Sequence, residues 1–282
     1  MWPSVRAAGA RVGSPSVGPR AVVFDWGGTL TPFHTIDLAD LWAVAARILA
    51  PERATELTAA LLEAERESWE RVTRHAGMAS GTLDDLLARA TELSGVAFEA
   101  AVRDEALEAH LEAWTPHTLT DPEAAPLLRA LRERGVRTGL LSNTHWPREW
   151  HERILARDGV LDLIDVRVYT SELRHTKPHA EAFRAVLAPL GVEPADAVMV
   201  GDRPFDDISG AQAVGMRTVL LPNDIVPSAP VTPDATIRRL SELLPILDGW
   251  RDPPHEIRTP GYPPRSEEGG APRFRGDPGD GR

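Results

Sequence analysis

The sequence contains no cysteine, which excludes disulfide bonds and thiolate metal sites and makes a cytoplasmic location the default expectation. It also lacks any apolar run near the roughly 18 residues that a transmembrane helix needs. Residues 1–20 have no apolar core of the kind found in a signal peptide. The net charge of −11 argues against a broad basic surface for nucleic acid. We therefore expect neither a membrane nor a nucleic acid as a partner.

Lysine is nearly absent as well. Lys177 is the only lysine among 31 basic residues, and all the others are arginine. A chain that uses arginine wherever a cation suffices has kept an ammonium group at one position, where a compact charge can act differently from a guanidinium. Two interpretations stay open at this point: a functional ammonium, or a single solvated surface lysine.

The alternation of apolar runs and helical patterns indicates the fold class. Near-continuous apolar runs are typical of parallel strands covered on both faces. Helical patterns alternate with them, as at 123–135, which ends on a glycine, and at 179–191. This order predicts an α/β protein with a Rossmann-like doubly wound parallel sheet. The five predicted strands cover residues 20–25, 136–143, 166–171, 197–202 and 216–221.

One long segment departs from this alternation. Residues 33–115 read as helical throughout, with no convincing strand. A length of 282 residues suits one α/β domain with a sizeable insertion. We therefore expect an inserted helical cap at 33–115. The α/β core would comprise 20–32 and 116–250, and the Gly- and Pro-rich segments 1–19 and 251–282 would be disordered tails.

Polar residues follow several of the predicted strands. In an open parallel sheet, ligands bind at the carboxyl ends of the strands, so these side chains are expected to converge. Each could instead cap a turn or a helix. Their origin in four separate segments favours a common site. The residues are Asp25, Ser142, Asn143, Asp202, Asp206 and Asp207, together with Lys177 just before a predicted helix.

Four segments resemble a known superfamily. The stretches DWGGTL, LLSNTHW, TKPHAEAF and VGDRPFDDISGAQAVGM are similar to the four ordered motifs of the haloacid dehalogenase-like (HAD) hydrolases. The resemblance covers about residues 20–222, including the position of the helical cap between the first two motifs. It implies a hydrolase with a HAD-type core.

The resemblance also implies roles for individual residues. Asp25 would be the nucleophile that forms an aspartyl ester, and Lys177 would neutralise charge on Asp25 and on the transferred group. A carboxylate repels a phosphate dianion, so phosphoryl transfer to Asp25 needs cations beside it. Phosphoryl oxygens would be bound by Gly28, Thr29, Ser142 and Asn143. Mg²⁺ would be held by Asp25, Asp202, Asp207 and the carbonyl of Gly27, with Asp206 as an alternative to Asp207.

Gly27 departs from the pattern of the superfamily. Most of its phosphatases have an aspartate at this position, which protonates the leaving group, and such acid–base help is worth about 10²–10⁴-fold. A substrate with a good leaving group, such as an acyl phosphate, would need less of this help. Alternatively another residue would replace the acid, and the nearest in sequence are Thr29, His34 and His145.

Three other functions are compatible with parts of the pattern. Haloacid dehalogenases also lack the second aspartate, but they need no metal, whereas this chain keeps an acidic GDRPFDD loop. Phosphonoacetaldehyde hydrolases need a cap lysine, and residues 33–115 contain none. A non-catalytic binding module would explain Gly27 but not Asp25 and Lys177. The sequence therefore favours a Mg²⁺-dependent phosphatase acting on a small phosphorylated metabolite, of unknown oligomeric state.

Overall fold

The computed structural model describes residues 18–32, 36–74 and 81–251. The predictions for the two terminal tails fall almost entirely outside these ranges, and so does His34. Among the described residues, no helix combines the length and the apolar character that a membrane span requires.

A six-stranded parallel sheet forms the centre of the described chain. Its strand order is β3-β2-β1-β4-β5-β6, which confirms the predicted doubly wound α/β fold. All five predicted strands are present. The sixth, β6, was missed because it is only two residues long. The strands are β1 Ala21–Phe24, β2 Arg137–Ser142, β3 Val166–Tyr169, β4 Ala197–Gly201, β5 Arg217–Leu220 and β6 Ala235–Thr236.

The register of the central strands brings the predicted site residues to one edge. Phe24, the last residue of β1, lies opposite Leu140 in β2 and Val200 in β4. All four residues of β1 are fully buried, because helices cover both faces of the sheet. The residues that follow β1, β2 and β4 therefore leave the sheet side by side.

Nine α-helices accompany the sheet within the described residues. A π-helical segment, Pro204–Ser209, leads directly into the eighth helix. The charged sixth helix was not predicted. The helices are α1 Leu38–Leu49, α2 Ala54–Arg74, α3 Leu83–Ser94, α4 Ala100–Trp114, α5 Ala124–Glu133, α6 Arg148–Arg157, α7 Ala180–Leu190, α8 Gly210–Val214 and α9 Leu243–Gly249.

Helices α1–α4 follow β1 in the chain and pack on one another, α1 against α2 and α4, and α2 against α3. Local signals explain their ends: Thr82 and Asp85 form a capping box at the start of α3, and Gly95 ends it with a φ of 65°. Their apolar side chains, Trp42 among them, join one continuous hydrophobic cluster with Phe24 of the sheet. The helical character of this segment is as predicted, and its role as a separate cap stays a prediction.

Candidate active site

Asp25 is the first residue after the central strand β1. Its backbone N–H donates to the carbonyl of Val200 at 2.9 Å, which continues the pairing of β1 with β4 by one residue. The side chain is only 5% exposed, and its Oδ1 accepts a hydrogen bond from the Lys177 Nζ at 2.7 Å. The fold thus fixes this carboxylate at the carboxyl edge of the sheet, as the sequence predicts.

Lys177 is completely buried and bridges two carboxylates. Its Nζ donates to Asp25 Oδ1 and to Asp207 Oδ1, each at 2.7 Å. Burial alone would lower the pKa of Lys177, but the charges of Asp207 and Asp25 outweigh burial and raise the pKa above its ordinary value. The alternative interpretation of Lys177 as a solvated surface lysine is therefore wrong.

Asn143 holds the backbone of Lys177. Its Oδ1 accepts from the Lys177 N–H at 2.9 Å, and its Nδ2 donates to the Lys177 carbonyl at 3.1 Å. The sequence predicts Asn143 as a donor to phosphoryl oxygens, whereas in this geometry the amide is used to position the lysine. Ser142, the other predicted donor, ends β2 next to it and is 2% exposed.

The two adjacent aspartates of the π-helical segment differ in surroundings. Asp207 is fully buried, bonds Lys177, and accepts from the Arg203 N–H at 3.0 Å. A Cβ on Gly201 would lie 2.3 Å from the Asp207 Cγ, so this close approach requires glycine there. Asp206 instead lies 3.9 Å from Arg203. The structure thus brings Asp207, rather than Asp206, against Asp25.

Asp25, Asp202 and Asp207 form a compact acidic cluster, in which one carboxylate oxygen of each lies within 4.8 Å of the others. Both oxygens of Asp202 are buried without a hydrogen-bond partner among the described residues. Burial, followed by the charges of Asp25 and Asp207, raises the pKa of Asp202 to about 8. An unpaired buried carboxylate beside two others is unfavourable unless a cation joins them. This all-oxygen donor set fits Mg²⁺.

The turn after Asp25 is tightly closed on itself. The Gly28 N–H, at a residue with φ of 84°, donates to the Thr31 carbonyl at 2.7 Å. That amide is therefore not available to a phosphoryl group in this conformation, unlike the prediction for Gly28. The Thr29 hydroxyl is buried and has no hydrogen-bond partner within residues 18–32, 36–74 and 81–251. A Cβ on Gly27 would meet no atom of the described residues within 4 Å, so there is room for a larger residue at this position.

Helices α2 and α3 reach this edge of the sheet through His145, two residues after Asn143. The His145 Nε2 lies 3.0 Å from the Ser68 Oγ of α2, and its carbonyl accepts from the Leu83 N–H at 3.1 Å. The histidine is 4% exposed. Sequence reasoning singled out His145 but missed Ser68, because nothing in the sequence signals a contact between residues 77 positions apart.

Comparison with known families identifies this arrangement. The family model described as haloacid dehalogenase-like hydrolase matches residues 19–215. The chain belongs to this family of hydrolases. This HAD hydrolase is 32% identical over 211 residues to the phosphoglycolate phosphatase of Rhodospirillum rubrum, a match that covers 72% of this chain and 79% of the relative.

Other similar proteins include both phosphatases and a dehalogenase. The glyceraldehyde 3-phosphate phosphatase of Pyrococcus furiosus is 37% identical over 99 residues, but the match covers only 35% of this chain and 40% of that relative. Among solved structures, a HAD phosphatase from Thermococcus onnurineus is 27% identical with a TM-score of 0.58, covering 83% of this chain and 100% of the other. A 2-haloacid dehalogenase from Pseudomonas syringae pv. Tomato DC3000 is 26% identical with a TM-score of 0.62, covering 82% and 99%.

Proposed function

We propose that this HAD hydrolase is a Mg²⁺-dependent phosphatase that acts on a small phosphorylated metabolite through an aspartyl-phosphate on Asp25. The observation that carries the proposal is the buried, unpartnered carboxylate of Asp202 beside Asp25 and Asp207. The Lys177 ammonium bonds only Asp25 and Asp207 among these three carboxylates and leaves Asp202 without a hydrogen-bond partner among the described residues, so the cluster suits a divalent cation. The similarity to phosphatases over most of the chain supports the same reaction class.

Asp25, Asp202 and Asp207 would hold the metal, together with the backbone carbonyl of Gly27. When bound, Mg²⁺ supplies the positive charge that allows a carboxylate and a phosphate dianion to approach each other. Lys177 supplies a further positive charge from within the protein. Its hydrogen bond fixes Asp25 Oδ1, so the second oxygen, Oδ2, is our candidate for the attacking atom.

The reaction has two steps at phosphorus. In the first, Asp25 attacks, an oxygen–phosphorus bond forms to its carboxylate, and the bond from phosphorus to the leaving oxygen breaks. In the second, water attacks the same phosphorus, inorganic phosphate leaves and the Asp25 carboxylate is restored. Helices α1–α4 would act as a cap that excludes bulk water during the first step.

Protonation of the leaving oxygen limits the substrate class. Gly27 carries no proton to donate. His145, one candidate substitute, is paired with Ser68 across the contact with α2, while the Thr29 hydroxyl is unpartnered but ordinarily a weak acid. We therefore propose substrates whose leaving group needs little protonation, such as acyl phosphates.

Dehalogenation is the second candidate, because a halide leaves without a proton and Gly27 would then be no loss. The similarity to the structure of a 2-haloacid dehalogenase supports dehalogenation as this second candidate. The two reactions differ in their need for the acidic cluster. A dehalogenase gains nothing from three clustered carboxylates, whereas a phosphatase requires the cation that they hold.

A panel of phosphate esters, acyl phosphates and 2-haloacids, assayed with Mg²⁺ and with EDTA, tests the proposal. We expect release of phosphate that EDTA abolishes and that Asp25→Asn eliminates without loss of fold. The matched pair Asp207→Asn and Asp206→Asn tests the metal site: the first should weaken Mg²⁺ activation by at least about tenfold, and the second much less.

Two results would contradict the proposal. Halide release that survives EDTA would replace it with the dehalogenase. No turnover of any compound in the panel, combined with tight binding of one of them, would favour a non-catalytic binding module.

A further inference from the structure

Two histidines and a glutamate form a second cluster on the segment that carries Lys177. The His175 Nδ1 lies 2.6 Å from the Glu181 Oε2. The rings of His175 and His179 are almost parallel, 12° apart, with centroids separated by 3.7 Å. One ring nitrogen of each histidine and one Glu181 oxygen lie within 4.8 Å of one another. The fold thus gathers three metal-ligating side chains from only seven residues of chain.

The chemistry of this cluster differs from that of the aspartate cluster. Two imidazoles and one carboxylate are ligands for a borderline metal such as Zn²⁺, whereas Mg²⁺ prefers oxygen alone. With metal–ligand distances of ~2.0–2.1 Å, neighbouring ligand atoms of a tetrahedral site lie ~3.3 Å apart. To converge on one ion, the stacked rings of His175 and His179 must turn, and the backbone that carries them must adjust. We propose that His175, His179 and Glu181 form a transition-metal site of the Zn²⁺ type, separate from the Mg²⁺ site.

Access and charge both permit a cation here. The side chains of His175 and Glu181 are 23% and 59% exposed, so a metal can enter from solvent and keep a water as its fourth ligand. The cluster lies at the start of α7, where the helix dipole amounts to about half a positive charge. The full negative charge of Glu181 more than offsets that dipole.

Binding would compete with two contacts of the metal-free protein. The hydrogen bond between the His175 Nδ1 and the Glu181 Oε2 must break if these two atoms become ligands. His179 caps α7 by accepting from the Glu181 N–H at 3.3 Å, a long and therefore weak hydrogen bond. The metal replaces these contacts with stronger ones. Because protons compete with the metal for the imidazoles, we expect the affinity of the site for the metal to fall as the pH drops.

The position of the site links it to turnover. His175 and His179 flank Lys177 by two residues on each side, and the Lys177 ammonium bridges Asp25 and Asp207. Drawing the two histidines onto one ion would shift the backbone between them and with it the ammonium. The site is therefore expected to inhibit the enzyme when occupied. This last step, unlike metal binding itself, rests on the proposed function.

The test is a titration of the untagged full chain, stripped with EDTA and dialysed, with Zn²⁺ by calorimetry and with Co²⁺ by visible absorption. Because the aspartate cluster can also bind Zn²⁺ and Co²⁺, we expect two sites, and the affinity of one of them should fall by at least about tenfold in His175→Asn and in Glu181→Gln. Two controls should retain this site: His117→Asn, a histidine elsewhere in the chain, and Asp202→Asn, which alters the aspartate cluster. Thermal unfolding in EDTA checks that each variant is folded.

Each outcome of the titration supports or refutes one part of the proposal. Unchanged affinity of both sites in the folded Glu181→Gln variant, or loss of all binding in Asp202→Asn alone, would overturn the site. Should His175→Asn fail to fold, Glu181→Gln decides, because it preserves the shape of the side chain. Zn²⁺ inhibition that persists in Glu181→Gln would refute the link to turnover and leave the site standing. A protein with no phosphatase activity would still give a clear binding result.

Discussion

The side chain of Asn143 is hydrogen-bonded to both backbone polar groups of Lys177, at 2.9 Å and 3.1 Å. This pairing joins the end of β2 to the segment before α7, across 34 residues of chain. The two hydrogen bonds have the pattern of a backbone pair between neighbouring β-strands, with an amide side chain in place of one backbone. The ammonium of Lys177 is thus aimed at Asp25 by a contact made at its backbone.

The variant Asn143→Asp tests this positioning role. Aspartate still accepts from the Lys177 N–H but cannot donate to its carbonyl, and it adds a charge close to three carboxylates. We expect kcat to fall by about 10- to 100-fold, because small displacements of a catalytic group cost about that much, with little change in KM. Asn223→Asp is the matched control, since the Asn223 side chain accepts from the Ile225 N–H in an exposed turn. Equal effects of the two variants would refute the role.

Lys177→Arg should fail to replace the only lysine. The site is completely buried, and a guanidinium is larger than the ammonium that fits between Asp25 and Asp207. We expect turnover to fall by at least about 100-fold, with a loss of about 1–3 kcal/mol in unfolding free energy from overpacking. Steady-state kinetics and urea unfolding measure the two effects.

Two further variants serve as comparisons for Lys177→Arg. Arg184→Lys, on the exposed face of α7, is the control and should change neither quantity. Lys177→Met leaves two buried carboxylates unpaired and should destabilise the protein by about 3–5 kcal/mol. Wild-type turnover in Lys177→Arg would mean that any cation suffices at this position.

The central strands β1 and β4 were predictable because each is an apolar run with every residue buried, and the motifs placed Asp25 and Asp202 directly after them and Lys177 just before α7. Helix α6 was not predicted, because its buried residues are interspersed with charged ones. These buried residues are Trp150, His151, Ile154 and Leu155. The two-residue β6 pairs only with β5 and carries no local signal.

The contacts within the site were the least predictable part. The π-helical geometry of Pro204–Ser209 decides whether Asp206 or Asp207 turns inward. The sequence has two adjacent aspartates there and does not distinguish them. The bonds from Asn143 to Lys177 and from Ser68 to His145 join distant segments. Such pairs follow from packing, and a single sequence records residue types but not which of them meet.

Gly27→Asp should restore leaving-group protonation. Among the described residues, a Cβ at this position meets no atom within 4 Å, and the φ of Gly27 is not in the left-handed region, so the backbone accepts a side chain. We expect turnover of poor leaving groups, such as alkyl phosphates, to rise by about 10- to 100-fold, below the full range of about 10²–10⁴ for acid–base help. Acyl phosphates should gain little.

The isosteric variant Gly27→Asn separates acidity from shape. It should give no gain on alkyl phosphates, because an amide cannot protonate the leaving oxygen at neutral pH. An equal gain in both variants would show that the effect is steric, and no gain in either would show that protonation is supplied elsewhere in the site.

Two buried histidines should contribute stability that is lost as the pH drops below about 6.5, while the raised pKa of Asp202 acts in the opposite direction. Burial lowers the pKa of His110 to about 4, and burial, with the charge of Arg148, lowers the pKa of His151 to about 3. Between those values and the ordinary 6.5, the unfolded chain binds more protons than the folded one. The stability from keeping each imidazole neutral is therefore complete above about pH 6.5 and lost as the pH falls. At pH 5 the loss is about 2 kcal/mol for each histidine.

His110→Gln checks this slope. In the wild type the His110 Nδ1 lies 3.2 Å from the Leu41 carbonyl, and its Nε2 accepts from the Trp114 Nε1; glutamine can donate and accept in the same way without titrating. Urea unfolding at pH 7 and pH 5 should show a difference smaller by about 2 kcal/mol in this variant. Trp114→Phe keeps the imidazole but removes a donor that favours its neutral form, so it should lower stability at pH 7 and keep most of the slope. A wild-type slope in His110→Gln would mean that other groups govern the acid sensitivity.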